Sequence, residues 1–279
     1  MGALLGVLPF FSYATIFLVV PTLTVVVGSF LDGNNRPTLG NLTALAEPQI
    51  QSAFLHSVWL STVTAVLGAV FGALLAYAVS TAREGGTLRR MVTSLCGVLA
   101  QFGGVTLAFA FVATVGFQGF VTLWLKQIGI DLAGSTWLFE PDKGLILVYT
   151  YFQIPLMLIV FLPAVEGLRP QWREAAESLG AGTWSYWRHV AGPILGPSFL
   201  GALLLLFANA FSAYATAAAL ISQGSPIIPL QIGGTLSSEV ILGQENIGKA
   251  MALEMVAIVA VVMTAYAVLE RRTTRWLGR

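Results

Sequence analysis

Charged residues are scarce in this chain: Lys, Arg, Asp and Glu together make up 10% of its 279 residues, while 56% are hydrophobic. A water-soluble domain carries roughly a quarter charged residues. So few charges cannot cover the surface of a soluble protein of this length, and the apolar mass is too large for one core. The composition therefore predicts a protein whose surface is largely solvated by lipid.

Cysteine and histidine are also rare, with one cysteine and two histidines. A single cysteine excludes an internal disulfide, and Cys96 lies in an apolar run, where a small packing residue is more typical than a nucleophile. The motifs G-x-x-x-x-G-K-S/T, H-E-x-x-H and G-x-S-x-G do not occur in the sequence. We therefore expect no catalytic residue, no metal ligand and no cofactor in this chain.

Long apolar runs dominate what is present, and a helix needs about 20 mostly apolar residues to cross a membrane. The predicted spans are 5–30, 56–82, 92–117, 144–168, 194–221 and 249–269. The first run is too long for the apolar core of a signal peptide and is expected to be a span. The predicted fold class is an all-α integral membrane protein, a six-helix bundle forming one domain over 1–279.

The distribution of basic residues predicts the orientation of these spans. Ten of the fourteen lie in three segments on one side: Arg83, Arg89, Arg90, Arg169, Arg173, Arg188, Arg271, Arg272, Arg275 and Arg279. The other side carries Arg36, Lys126, Lys143 and Lys249. Basic loops remain in the cytoplasm. We therefore expect a multi-pass protein of the bacterial cytoplasmic membrane with both termini inside.

The cytoplasmic loop 169–193 has an unusual pattern for a connection. Pro170 suits the first turn of a helix, and Gly180 suits its C-terminal turn. Thr183 can begin a second short helix, with Pro193 at the entry to the next span. One apolar face is predicted for each helix, formed by Trp172, Ala175, Ala176 and Leu179 in the first and by Trp184, Trp187 and Val190 in the second. The loop is either a protein-docking element or an amphipathic segment lying in the lipid headgroups.

The residues of this loop resemble a known motif. Glu174-Ala175-Ala176, Leu179-Gly180-Ala181, and then Trp187, Val190, Pro193 and Leu195 are similar to the EAA motif of type I ABC importer permeases. The resemblance implies a coupling helix that docks in a groove of an ATPase subunit. The docking residues it implies are Glu174, Ala175, Ala176, Glu177, Leu179 and Gly180. Gly192 departs from the apolar residue that usually precedes the proline of this motif.

The resemblance extends over nearly the whole chain and implies a set of partners. These are two copies of an ATPase subunit that binds ATP and Mg, a second permease (a paralogue or the same chain), an extracytoplasmic solute-binding protein and membrane lipid. No nucleic acid is expected. The segment 228–234 and the last span resemble the subgroup that imports polyamines, ferric iron, thiamine or phosphonates. A small polar solute such as a polyamine is therefore expected.

Polar residues inside the spans are candidates for the solute pathway because they are costly in lipid. They are Gln153, Asn209, Ser212, Tyr214 and Glu254. Hydrogen bonding between packed helices explains the amides and hydroxyls equally well. Two other functions remain open from the residues alone: a secondary transporter driven by an ion gradient, and a membrane scaffold subunit that transports nothing.

Overall fold

The computed structural model describes residues 2–83, 85–130, 141–221, 227–237 and 245–277. Over these ranges the chain is nearly all helical and has no β-strand; an isolated bridge pairs Leu31 with Pro37. The helices are α1 (Gly2–Ala14), α2 (Val20–Ser29), α3 (Gly40–Ala44), α4 (Pro48–Thr81), α5 (Thr87–Gln101), α6 (Gly104–Val115), α7 (Phe120–Gln127), α8 (Pro141–Glu166), α9 (Pro170–Ser178), α10 (Thr183–Tyr186), α11 (Gly192–Phe211), α12 (Ala215–Leu220), α13 (Ile228–Ser237) and α14 (Glu245–Leu277). Thr15–Val19 and Trp187–Ala191 are π-helical turns that continue α1 into α2 and α10 into α11.

Six helical stretches of the described chain are long and apolar enough to cross a membrane. They are Pro9–Ser29, Pro48–Thr81, Gly104–Gln127, Lys143–Glu166, Thr183–Phe211 and Glu245–Val268. Large apolar side chains on them are exposed, for example Phe17 at 65% and Leu18 at 68%. Such surfaces are typical of contact with lipid. The predicted fold class, an all-α membrane protein with six spanning helices, is confirmed.

The third predicted span, 92–117, is not one helix. The chain breaks between α5 and α6 at Phe102 and Gly103, and Gly104 then adopts a φ of +69°. The long apolar stretch in this region is α6 followed by α7, Gly104–Gln127. An apolar run carries no helical boundary of its own, so hydropathy alone missed the break.

The loop 169–193 and the fifth predicted span, 194–221, also differ from expectation. The second short helix predicted within the loop begins at Thr183, as expected, but continues through Trp187–Ala191 into α11. The helix then ends at Phe211, and α12 begins only at Ala215. Pro193 and Pro197 do not interrupt this continuous helix: Pro193 lies just after the π-helical turn Trp187–Ala191, and Pro197 lies inside α11.

The helices form two compact units. One comprises Met1–Ser57 and Gln223–Ile258, and the other comprises Val58–Ser222 and Val259–Arg279. In the smaller unit, Ile50 and Ala53 of α4 pack with Ile228 and Met251. The N–H of Ile228 donates to Ser57 Oγ at 2.9 Å and so fixes the start of α13. The single permease domain over 1–279 stays a prediction.

The core of the larger unit forms where α4 packs against α8. Gly68 and Gly72 lie one turn apart on α4, in the small-xxx-small spacing that lets helices approach closely in lipid. A Cβ atom on Gly72 would lie 2.7 Å from the carbonyl oxygen of Ile154. Cys96 is buried in the same core, as expected of a packing residue.

We expect Gly72→Ala to destabilise the protein by about 1–3 kcal/mol, because the added methyl group meets backbone atoms of α8 that cannot move aside. The thermal unfolding midpoint of the purified protein in mild detergent measures this effect. Gly97→Ala is the control, since nothing lies within 4 Å of a Cβ at Gly97. Equal midpoints for the two variants would contradict the proposed close contact of α4 and α8.

Candidate functional site

Helix α9 is a short helix with well-defined ends. Pro170 occupies its first turn, where the absence of an N–H has no cost. At its C-terminus the N–H of Gly180 donates to the carbonyl of Glu177, and the N–H of Ala181 donates to that of Ala176, both at 2.9 Å. These two bonds form a Schellman motif, which requires a left-handed residue. Gly180, with a φ of +76°, provides it.

One side of α9 is packed against the chain that follows it. Ala176 is buried with Tyr186 and Ala191, and Trp172 and Trp187 pack against this cluster. Ala175 is exposed, Leu179 is 88% exposed, and Trp184 is 76% exposed. The apolar residues predicted for each short helix are therefore unequally buried. In each of the two groups of apolar residues, some side chains pack within the loop and others are exposed.

The exposed side of α9 also carries its charges. Arg173 Nε donates to Glu177 Oε1 at 3.0 Å, one turn along the helix. The hydrogen bond and the charge of Glu177 raise the pKa of the Arg173 guanidinium, which therefore stays protonated. The Arg173 and Glu177 charges offset one another. Glu174, exposed beside them, leaves the helix with a net negative charge.

The loop is joined to the long helices by packing and by charge. Leu168 and Trp187 pack both on the loop cluster and on the core of the larger unit. The Trp187 ring meets Tyr77 of α4 edge-on, with centroids 5.3 Å apart. Arg89 of α5 forms an ion pair with Glu166, the last residue of α8. Trp187 thus connects the loop cluster to α4, and the Arg89–Glu166 pair joins the ends of α5 and α8 beside the loop.

Three of the five predicted pathway residues lie together. Asn209, Ser212 and Tyr214 line a cavity of about 420 Å³, which Gly103, Gly104, Phe152 and Thr216 also line. The cavity lies where two helix breaks meet, the α5–α6 break and the α11–α12 break. No charged side chain is among its described lining residues. The cavity is suited to a small solute that is bound through neutral polar groups and an aromatic ring.

Hydrogen bonds from side chains hold both breaks in place. The Tyr149 hydroxyl donates to the carbonyl of Ala213 at 2.6 Å, and the Thr216 hydroxyl donates to the carbonyl of Gly104 at 3.2 Å. The first bond satisfies a carbonyl that lies between α11 and α12, and the second joins α12 to the start of α6. The sequence analysis missed Tyr149, Thr216 and the two glycines. The adjacent pair Gly103-Gly104 within an apolar run was a signal of a break.

Gln153 and Glu254 lie elsewhere. Gln153 is fully buried between α8 and α4, where its Nε2 donates to Thr64 Oγ1 at 2.9 Å. It makes a bond between helices and is not among the described residues lining the cavity. Glu254 is half-buried on α14 in the smaller unit, and among the described residues its Oε2 atom has no hydrogen-bond partner.

Comparisons with known proteins agree with this architecture. The spermidine/putrescine transport system permease protein PotB of Haemophilus influenzae is 23% identical over 263 residues, 92% of this chain and 90% of PotB. The sulfate transport system permease protein CysT of Escherichia coli is 28% identical over 172 residues, 61% of this chain and 58% of CysT. The chain thus matches little more than half the length of CysT.

The fold is shared with a chain of a bacterial ABC transporter involved in the import of the acidic polysaccharide alginate. The TM-score is 0.73 at 18% sequence identity, covering 96% of this chain and 93% of the other. The family described as binding-protein-dependent transport system inner membrane component matches residues 68–275. Since this match extends over well more than half of the sequence, the chain belongs to the family of binding-protein-dependent transport system inner membrane components.

Proposed function

We propose that the chain is the permease subunit of an ATP-driven solute importer and that it docks a separate ATPase subunit through α9 and the turn after it. One observation carries the proposal: Leu179 is 88% exposed at the end of a short, rigidly backed helix outside all six candidate spans. A leucine exposed in this way, on a helix whose other side is packed within its own loop, is suited to an apolar groove on a protein partner.

The charge of α9 supports a protein partner over lipid headgroups. Helices that lie in the membrane interface are rich in Lys and Arg on the polar face, which attracts them to anionic lipids. Helix α9 carries Glu174 and Glu177 against one arginine, Arg173. With Arg169 directly before the helix the two signs balance, so the segment lacks the excess of basic residues that holds an interfacial helix on anionic lipid, and its mixed exposed charges are suited to a protein surface.

Within this proposal, Glu174, Ala175, Glu177 and Leu179 contact the ATPase, while Ala176 and Gly180 shape the helix. ATP and Mg bind to the ATPase partner, where hydrolysis occurs. The nucleotide can switch the permease only through different affinities for its two conformations. The contacts of Trp187 with Tyr77 and of Arg89 with Glu166 provide a route for that motion into α4, α5 and α8.

The remaining partners follow from the same proposal. One chain with one docking helix forms half of a pathway, so a second permease, either a paralogue or a second copy, completes it with two ATPase subunits. An extracytoplasmic solute-binding protein delivers the solute. The arginine-rich segments support a cytoplasmic position for α9 and for both termini.

The cavity lined by Asn209, Ser212 and Tyr214 is proposed as part of the solute pathway. A polyamine is the solute we propose, because PotB, the relative that matches nearly the full chain, carries spermidine/putrescine in its name. The rings of Tyr214 and Phe152 can face a cationic amine at this cavity.

Replacing Leu179 with Asp, or Glu174 with Arg, should weaken binding of the ATPase by about thirtyfold, since central interface residues contribute roughly 2 kcal/mol or more. Co-purification of the ATPase from mild detergent, followed by titration of the purified subunits, measures this. Leu88→Asp is the control, because Leu88 is an exposed leucine at the start of α5 and not part of α9.

Gly180 provides a second control. Gly180→Asn should retain docking, because Asn tolerates a positive φ, whereas Gly180→Val should lose it. If the wild-type chain purifies without an ATPase and carries solute down an ion gradient in liposomes, it is a secondary transporter and the proposal fails.

Cysteine substitution tests the pathway. With Cys96 buried, a small hydrophilic thiol reagent should modify Asn209→Cys and Ser212→Cys and thereby block uptake by reconstituted complexes. Leu200→Cys, on an exposed apolar part of the same helix, should neither react nor lose activity. Labelling of Leu200→Cys alone would remove the cavity from the pathway.

The proposed solute class has its own test. In a complex reconstituted with its binding protein, spermidine or putrescine should stimulate ATP hydrolysis, whereas sulfate should not. Stimulation by sulfate alone would overturn the polyamine proposal and leave the permease assignment intact. The names of the two relatives described above contain these two different solutes.

A further inference from the structure

A cavity in the smaller unit combines a fixed lysine with an apolar wall. It has a volume of about 420 Å³ and lies where α2 meets the start of α14. Its polar end is formed by Asn35, Asn246 and Lys249, and its wall includes Val20, Leu23 and Val27. The transport proposal assigns no role to any of these residues.

Lys249 is held in a defined position. Its stem crosses α2 at Gly28, where a Cβ atom would lie 3.2 Å from both Lys249 Cε and Nζ and would contact Cδ even more closely. The Nζ atom donates to Asn246 Oδ1 at 2.8 Å, and Asn246 Nδ2 in turn donates to the carbonyl of Leu31 at 2.8 Å. The ammonium group is thus fixed by Gly28 and Asn246 and does not extend freely toward water.

The charge of Lys249 has no counter-ion among the described residues. Its hydrogen-bond partner, Asn246, is a neutral amide. Asp32, in the loop after α2, accepts the N–H groups of Asn34 and Arg36 at its Oδ1 atom. Glu245, one turn before Lys249 on α14, is exposed and forms no ion pair with it. A half-buried cation beside neutral partners favours an anion at this end of the cavity.

The apolar wall indicates which kind of anion. Val20, Leu23 and Val27 are 52%, 54% and 54% exposed, and all belong to the candidate span Pro9–Ser29. From Gly28 to Val20 the helix extends about 12 Å along its axis. An anionic side chain of a partner protein would reach the lysine but would leave this wall uncovered. A lipid covers both, with its phosphate at Lys249 and an acyl chain along the wall.

We propose that this cavity binds one anionic phospholipid, whose phosphate contacts the Lys249 ammonium and whose acyl chain lies on α2. The site requires only that the chain is inserted in a membrane, so it stands apart from the transport proposal. Gly28 belongs to the site because only a residue without a side chain leaves room for the lysine stem.

The test uses the full-length protein, stripped of lipid in detergent and titrated with phosphatidylglycerol or phosphatidylcholine, with bound lipid counted by native mass spectrometry. The wild-type chain should retain one phosphatidylglycerol and prefer it over phosphatidylcholine by about fivefold, which corresponds to the roughly 1 kcal/mol that one basic residue gains near anionic lipid. Lys249→Met should abolish the preference, and Lys249→Arg should restore it.

Two further variants separate the site from a general effect of charge. Lys126→Met removes an exposed lysine at the end of α7 and should leave the preference unchanged. Gly28→Ala keeps the charge of Lys249 but displaces its stem, and should reduce the preference as Lys249→Met does. An equal loss in Lys126→Met, an unchanged preference in Lys249→Met, or equal binding of both lipids by the wild-type chain would each overturn the proposal. The proposal would also be overturned if Lys249→Met no longer bound the solute-binding protein while its lipid binding stayed intact.

Discussion

Hydrocarbon offers no hydrogen-bond partner to a peptide group, and this constraint shapes both the regular and the irregular parts of the chain. Most of the described backbone satisfies itself within helices. Where α11 gives way to α12, the Tyr149 hydroxyl donates to the carbonyl of Ala213, and the Thr216 hydroxyl ties α12 to Gly104 at the α5–α6 break. The same breaks bring Asn209 and Ser212 to a cavity. The polar groups proposed for the solute pathway thus lie where continuous helices are interrupted and their backbone is secured by side chains.

The proposed docking of α9 requires a physical connection between this short helix and the long helices. Helix α9 is small, yet its Schellman turn and the burial of Ala176 make it rigid relative to the long helices it contacts. Trp187 lies both in the loop cluster and against Tyr77 of α4. Within the docking proposal, packed interfaces of this kind have discrete arrangements, so a shift of α9 is expected to reach the long helices through Trp187.

The sequence predicted the ends of α9 correctly and misjudged the surroundings of several side chains. Helical spacing indicated an α9 that begins near Pro170 and ends at Gly180, because proline and glycine have strong positional preferences. It assigned Ala175, Ala176 and Leu179 to one face, but Ala176 is buried and Leu179 exposed. Likewise Gln153 and Asn209 are both amides in apolar runs, yet one binds Thr64 and the other lines a cavity. The difference depends on the neighbouring helix, which periodicity cannot identify.

The sequence by itself determined that much of the surface is apolar enough to face lipid, the number of candidate spanning helices and the position of the short helix α9. These features follow from summed hydropathy and from local backbone preferences. The tertiary structure alone decided where the apolar runs break, which polar residues meet at the cavity, and how Gly28 makes room for Lys249. These features arise from contacts between residues far apart in the chain, such as Gly104 with Thr216. An apolar run carries little information about its partners, because lipid and protein interior are equally apolar.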